Sequence, residues 1–207
     1  MSYGHVLGYF IYRDTILAQH WDVAEPFKTL FTTVKPKQVL EIGTFNGGLT
    51  LLIRDLLDEV GLNDCELKSY DVVSGMSRKA LLDSIKNGAK IDFVLKNVFT
   101  TDYTQLLEVD EIANYIQQQG TTIVLCDGGN KKNEFSILTK FLKKGDIIMA
   151  HDYAYDRQYF EANIRNKVWN WLEIEESDIQ DVSNQNGLVP FQQDNFGSVV
   201  WVCKIKN

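Results

Sequence analysis

The chain has 207 residues, 44% hydrophobic and 24% charged, which is enough to bury a core without disulfide or metal staples. A net charge of −7 argues against a broad phosphate-binding face, and the lysines at 131, 132, 140, 143 and 144 form only a local basic rim. Three isolated cysteines, Cys65, Cys126 and Cys203, exclude zinc clusters and disulfide frameworks.

No apolar run reaches the roughly 18 residues that cross a bilayer, and no basic segment leads into an apolar one at the N-terminus. The expectation is a cytoplasmic protein without nucleic-acid or membrane partners. No repeat, low-complexity stretch or linker divides it, so residues 1–207 are expected to form one domain, with 1–35 as an N-terminal cap. The aromatic N-terminus offers an interface between copies of the chain.

The first 20 residues carry no clear period. Asp22-Val-Ala-Glu25 has the spacing of a capping box, and Phe27, Leu30, Phe31 and Val34 continue at helical spacing until Pro36. Gln38–Ile42 reads as a strand that runs into a glycine turn. Leu49, Leu52, Ile53, Leu56, Leu57 and Val60 then mark the clearest amphipathic helix, stopped by Gly61. Strands follow at Glu66–Tyr70, Ile91–Leu95, Thr121–Cys126 and Asp146–Ala150. Helices are expected between them, over Arg78–Asn87, Tyr103–Gln119 and Asn133–Lys144. Cys126, inside an apolar strand, reads as a buried reduced thiol. After a helix around Arg157–Leu172, the segment Leu188–Lys206 reads as two strands, Gly197–Cys203 forming the last.

Alternation of strand and helix, with strands apolar on both faces, predicts a parallel sheet covered by helices on each side. The two closing strands without an intervening helix predict an antiparallel edge. In such a sheet ligands bind beyond the strands' carboxyl ends. Those ends carry Gly43-Thr-Phe-Asn-Gly-Gly48, Asp71, Asn97, Asp127 and His151-Asp152. Each of these residue types also favours turns.

The turn has glycines at relative positions one, five and six, so the GxGxxG pattern of dinucleotide binders is absent. Phe45 stands where that pattern needs its second glycine and obstructs a pyrophosphate. A smaller group can still sit against the helix start. Asp71, 30 residues after Glu41 and one strand on, can accept bonds from ribose hydroxyls. Asn97-Val-Phe99 can bracket a flat ring, with Phe99 or a neighbour on its face. Asp127 and Asp152, at the ends of neighbouring strands, would lie roughly 5 Å apart. Two carboxylates that close repel unless a cation or amide hydrogen bonds compensate them.

VKPKQVLEIGTFNGG, the strand-end acid in KSYDV, TIVLCDGGN and GDIIMAHDY together resemble the class I S-adenosylmethionine (SAM)-dependent methyltransferases. The resemblance is to the cephalosporin-hydroxylase-like and catechol-O-methyltransferase-like branch, over Asp22–Tyr153. It implies a Rossmann-like three-layer α/β sandwich with a mostly parallel seven-stranded sheet and an antiparallel C-terminal hairpin. It implies metal-assisted O-methylation of a small hydroxylated acceptor. Gly43, Thr44, Gly47 and Asp71 would contact SAM, and the wider candidate set adds Glu41, Phe45, Asn46, Val72, Asn97, Val98 and Asp127. Asp127, His151 and Asp152 would hold the divalent cation. Carboxylates there suit magnesium, and His151, in place of the family's usual acid, shifts the preference towards manganese or a softer ion. The catechol-type enzymes carry a lysine three residues after the first metal acid. Here that position is Asn130, leaving Lys131 or His151 as candidate bases. His20-Trp21-Asp22 and Tyr153-Ala-Tyr155 are candidates for an acceptor pocket. Two other readings stay open: a non-catalytic SAM-binding module, and an NAD-dependent Rossmann oxidoreductase.

Overall fold

The computed structural model describes residues 8–74 and 76–207. The opening heptapeptide, His5 included, lies outside the described residues.

A hairpin comes first, β1 (Phe10–Tyr12) against β2 (Thr15–Leu17), through a turn in which Arg13 and Asp14 both take positive φ. Such a pair matches the natural twist of a two-residue hairpin. Then follow α1 (Ala24–Val34), β3 (Gln38–Ile42), α2 (Gly48–Glu59), β4 (Glu66–Asp71), α3 (Lys79–Lys86) and β5 (Ile91–Leu95). The next elements are α4 (Val109–Ile116), β6 (Thr122–Cys126), α5 (Lys131–Leu138), β7 (Ile147–Ala150), β8 (Tyr153–Ala154) and α6 (Arg157–Tyr159). The chain closes with β9 (Ile174–Glu175), α7 (Glu176–Gln185), β10 (Leu188–Pro190), α8 (Gln193–Gly197) and β11 (Val202–Lys206).

Seven strands form the main sheet in the order β10-β11-β7-β6-β3-β4-β5. Five are parallel, and β11 runs antiparallel against both β7 and β10. The expected architecture is therefore present. Alternate residues of the central strands face opposite layers. Val39, Ile123, Leu125, Ile147 and Met149 pack with α1 and α2, while Leu40, Ile42, Val124, Cys126 and Ile148 pack with α4 and α5. Both faces are dry, which is why these strands read as continuous apolar runs. Cys65, Cys126 and Cys203 are free and buried.

Several elements depart from the periodicity. The Asp22–Glu25 box does not form: α1 starts after Val23 without a side-chain cap, and the Asp22 amide contacts His20. The helix expected from Tyr103 is confined to Val109–Ile116, because Thr100 and Asp102 take the amides of Thr104 and Gln105 with their own side chains. The helix expected at Asn133–Lys144 starts two residues earlier, where Asn130 caps it, and gives way to a 3-10 turn at Thr139–Phe141. Lys143 leaves it to pair with the buried Asp146.

Arg157–Leu172 forms only a helical turn and a π-turn over Phe160–Ile164, after which Trp169 turns inward. The helix α7 is absent from the sequence reading because it buries only Ile179 and Ser183. A capping box between Glu175 and Asp178 starts it instead. The final strand begins at Val202, since Val199–Trp201 belong to the buried turn after α8.

Candidate functional site

Sheet register sets the site. Ile42 lies beside Tyr70 on one side and Cys126 on the other, and Cys126 lies beside Ala150. The next residues, Gly43, Asp71, Asp127 and His151, therefore emerge at one level along the carboxyl edge. Chain order reverses between β3 and β6, the switch point at which open α/β sheets form a crevice. A cavity of about 260 Å³ opens there, lined among others by Gly43, Phe45, Asp71, Val72, Asn97, Val98, Phe99, Tyr103, Asp127 and Glu134.

Close packing explains the glycine turn. Gly43 has φ +97, and a Cβ there would meet the Asp127 carbonyl oxygen at 2.1 Å. No side chain fits between β3 and β6 at that point. Gly47, at φ +85, precedes the first turn of α2 against Leu81. Gly48 serves the hairpin instead, because a Cβ there would strike the Ile16 carbonyl at 2.4 Å. Phe45 adopts φ +51, and its amide donates to Asp71 Oδ2 at 2.7 Å. Asp71 also accepts from the Val73 amide and stands 2.9 Å from the Arg78 guanidinium, a buried ion pair.

Four expected cofactor contacts stand behind the turn and do not line the cavity. Thr44 bonds Ser69, Asn46 donates to the Ser77 carbonyl, Gly47 packs on Leu81, and Glu41 is fully buried between Thr50 and Ser69. Burial lifts the Glu41 carboxyl to about 7, although bonds from Ser69 and Thr50 pull it down. Asn97, Val98 and Phe99 do reach the cavity. Phe99 is itself buried and stacks on Tyr103 at 5.6 Å. Tyr103 is a lining aromatic that the sequence reading missed, because its segment was read as helix.

A second group lies on the Asp127 side. Asp127, His151 and Asp152 each place an oxygen or nitrogen within 4.8 Å of the others. His151 Nδ1 is 3.1 Å from Asp127 Oδ1, which assigns the proton to Nδ1. Its Nε2 is buried and has no partner. The ring lies between Trp169 and Trp201, with centroids at 5.0 and 4.9 Å. Gln19 donates to Asp127 Oδ2 at 2.7 Å, and Trp169 donates to Asp152. Asp152 adopts φ +57. Burial opposes its charge, but His151, Lys131 and the Trp169 bond outweigh it and hold the carboxyl below its usual range.

Lys131 closes this group. Its ammonium donates to the Gly128 carbonyl at 3.1 Å and stands 3.0 Å from Asp152, 2.8 Å from Glu173 and 3.8 Å from Asp127. Burial pulls its pKa down, but the fields of Asp127 and Asp152 and the Glu173 bond prevail and raise it. Asn130, at the position of the catechol-type lysine, caps α5 by accepting from the Asn133 amide. Glu134, lifted to about 7 chiefly by burial, accepts from the Gly128 and Asn130 amides.

Gln19, Trp169, Glu173 and Trp201 were missed by the sequence reading, since all reach the site from distant segments. Of the acceptor-pocket candidates, Tyr153 is buried in the core and bonds Glu176, whereas Trp21 and Tyr155 are 66% and 65% exposed.

The donor set fits a divalent cation: two carboxylates and an imidazole each offer a ligand atom within 4.8 Å of the others, and one imidazole nitrogen is buried without a partner.

No family profile and no curated protein sequence matches this chain. Solved structures do share its fold. An apo structure of CmcI superposes with a TM-score of 0.67 at 14% identity, over 96% of this chain and 76% of that one. A CmcI structure with Mg and SAM gives 0.65 at 14% identity, over 96% and 77%. A putative caffeoyl-CoA O-methyltransferase from Staphylococcus aureus gives 0.56 at 16% identity, over 89% and 83%. At these identities the likeness establishes the fold alone: a Rossmann-like three-layer α/β sandwich. Among the described residues no helix is long and apolar enough to cross a membrane.

Proposed function

We propose that this chain is an SAM-dependent methyltransferase that methylates a hydroxyl of a small acceptor with the help of a divalent cation. One observation carries the reading: a single cavity runs from the Gly43–Phe45 turn and Asp71 to Asp127, where the cation-binding cluster begins. Along it, Asp71 would hold the sugar of the cofactor and Asp127 would stand at its methyl-donating end. One neighbour named as an O-methyltransferase and another that carries Mg and SAM support this.

The residues divide the work. A carboxylate has about four acceptor positions. Phe45 takes one on Oδ2 and Val73 one on Oδ1 of Asp71, and Arg78 stands 2.9 Å from Oδ2, which leaves a position on Oδ1 for a ribose hydroxyl. Val72, Asn97 and Val98 border the space for the adenine, and Tyr103 offers a ring face. Thr44, Asn46, Gly47 and Glu41 hold the turn from behind. Asp127, His151 and Asp152 would hold the cation, which lowers the pKa of a bound hydroxyl and so supplies an oxygen nucleophile.

The Lys131 ammonium donates to Gly128 and Glu173 and pairs with Asp152 at 3.0 Å. Lys131 therefore acts through charge and position, and the one free lone pair of His151, on Nε2, either binds the cation or takes a proton, not both. The dinucleotide alternative meets Phe45 at the place a pyrophosphate needs open backbone. A non-catalytic module would bind SAM and transfer nothing.

Titration calorimetry with SAM, S-adenosylhomocysteine and NADH, with and without manganese, tests the reading. SAM is expected to bind and NADH to give no heat. Silence from SAM under both conditions would overturn the proposal. Transfer of a labelled methyl group to a hydroxylated acceptor then separates the enzyme from the binding module.

A further inference from the structure

Lys131 and Glu173 form a pair that the proposed chemistry does not require. The Lys131 side chain is only 6% exposed, whereas that of Glu173 is 44% exposed, so the pair spans from the buried cluster to the surface. The Glu173 amide donates to the Asp152 carbonyl at 2.9 Å, which fixes the acid beside the cluster. Lys131 thus touches two of the three cation-binding groups from one side and a non-member acid from the other.

Formal charges give this arrangement a meaning. Around the ammonium, Asp127, Asp152 and Glu173 carry three negative charges against the one positive charge of Lys131. The set is two charges short of neutrality, the charge of one divalent ion. Without Lys131 an ion would leave a residual negative charge, and the acids would hold it more tightly. Without the charge on Glu173 the ammonium would have only Asp152 and Asp127 to pair with, and it would compete with the ion for them. Charges at this spacing in a buried site interact strongly.

We infer that Lys131 is a tethered counter-cation that competes with the divalent ion for Asp127 and Asp152, and that Glu173 draws the ammonium aside to admit it. The pair sets the ion's affinity and keeps it exchangeable. The inference builds on the cation site of the proposed function and is independent of SAM.

The test is a Mn²⁺ titration of the full chain, followed by electron paramagnetic resonance of the free ion, without SAM. Lys131→Met is expected to tighten Mn²⁺ at least about tenfold and Glu173→Gln to weaken it at least about tenfold, the opposed signs expected of like- and opposite-charge neighbours. If the wild type holds no measurable Mn²⁺, Lys131→Met is expected to bring binding into range, and a folded Lys131→Met that still binds none overturns the inference. Both variants staying within about twofold of wild type, or either sign reversed, would overturn the inference. Should Lys131→Met fail to fold, as a thermal melt would show, the half-exposed Glu173→Gln decides alone. Loss of SAM binding in the wild type would strike the methyl-transfer reading and leave this result standing.

Discussion

Gln19 and Asp127, 108 positions apart, meet through a 2.7 Å hydrogen bond from the Gln19 amide to Asp127 Oδ2. The other end of the same amide accepts from Trp201 Nε1 at 2.8 Å. One buried side chain thus ties the N-terminal segment, the acid at the end of β6 and the turn before β11 into one unit.

Gln19→Ala removes that link and leaves a carboxylate oxygen and an indole NH without partners. Each buried orphan costs about 1–3 kcal/mol, so a loss of about 2–5 kcal/mol in unfolding free energy is expected. Urea denaturation measures it. A loss under about 1 kcal/mol would show that water replaces the amide.

Gly43→Ala tests the close approach of β3 and β6. Positive φ alone costs about 1–2 kcal/mol. The overlap with the Asp127 carbonyl adds more, because neither backbone can retreat without breaking the register. Gly61→Ala is the control: its φ is also positive, at +79, but nothing lies within 4 Å of the added atom. Gly43→Ala is expected to lower the melting temperature well beyond Gly61→Ala. Equal shifts would refute the packing argument.

Asp71→Asn breaks a buried ion pair and leaves Arg78 uncompensated, at a cost of about 3–5 kcal/mol. It also places an amide group where the Phe45 and Val73 amides donate. SAM affinity is expected to fall at least about tenfold. Adding Arg78→Gln should recover part of the stability but not the affinity, as paired chemical denaturation and calorimetry would reveal.

Glu41 gives a pH signature. Its folded pKa, about 7, lies above the ordinary 4.5 because burial penalises the charged form. The folded state holds the proton more tightly, so the stability it contributes is fully present below pH 4.5 and declines as pH rises through 7. The full loss is about 3 kcal/mol. Glu41→Gln keeps the acceptor for Thr50 and Ser69 and cannot ionise. The stability of wild type relative to Glu41→Gln should therefore fall by about that amount between about pH 4 and about pH 8. A flat difference would remove the burial assignment.

Much of the sheet was legible in the chain because buried strands are short, apolar and β-branched whatever surrounds them. Gln38–Ile42 and Ile91–Leu95 were read at their observed boundaries. The helices were harder. Asn130, Thr100 and Asp102 redirect backbone amides through single side-chain bonds, which shift helix ends without changing apolar spacing. The polar helix α7 has almost no apolar period to detect.

Sequence by itself determined the layered sheet, the glycine turn and the row of polar residues at the strand ends, since these follow from local periodicity and from which residues tolerate tight turns. Only the tertiary structure decided that Thr44, Asn46 and Glu41 face away from the cavity, that Lys131 lies among three carboxylates, and that Gln19, Trp169, Glu173 and Trp201 complete the cluster. Burial direction and charge pairing are set by contacts between segments far apart in the chain, and no local pattern records which distant side chain fills a given gap.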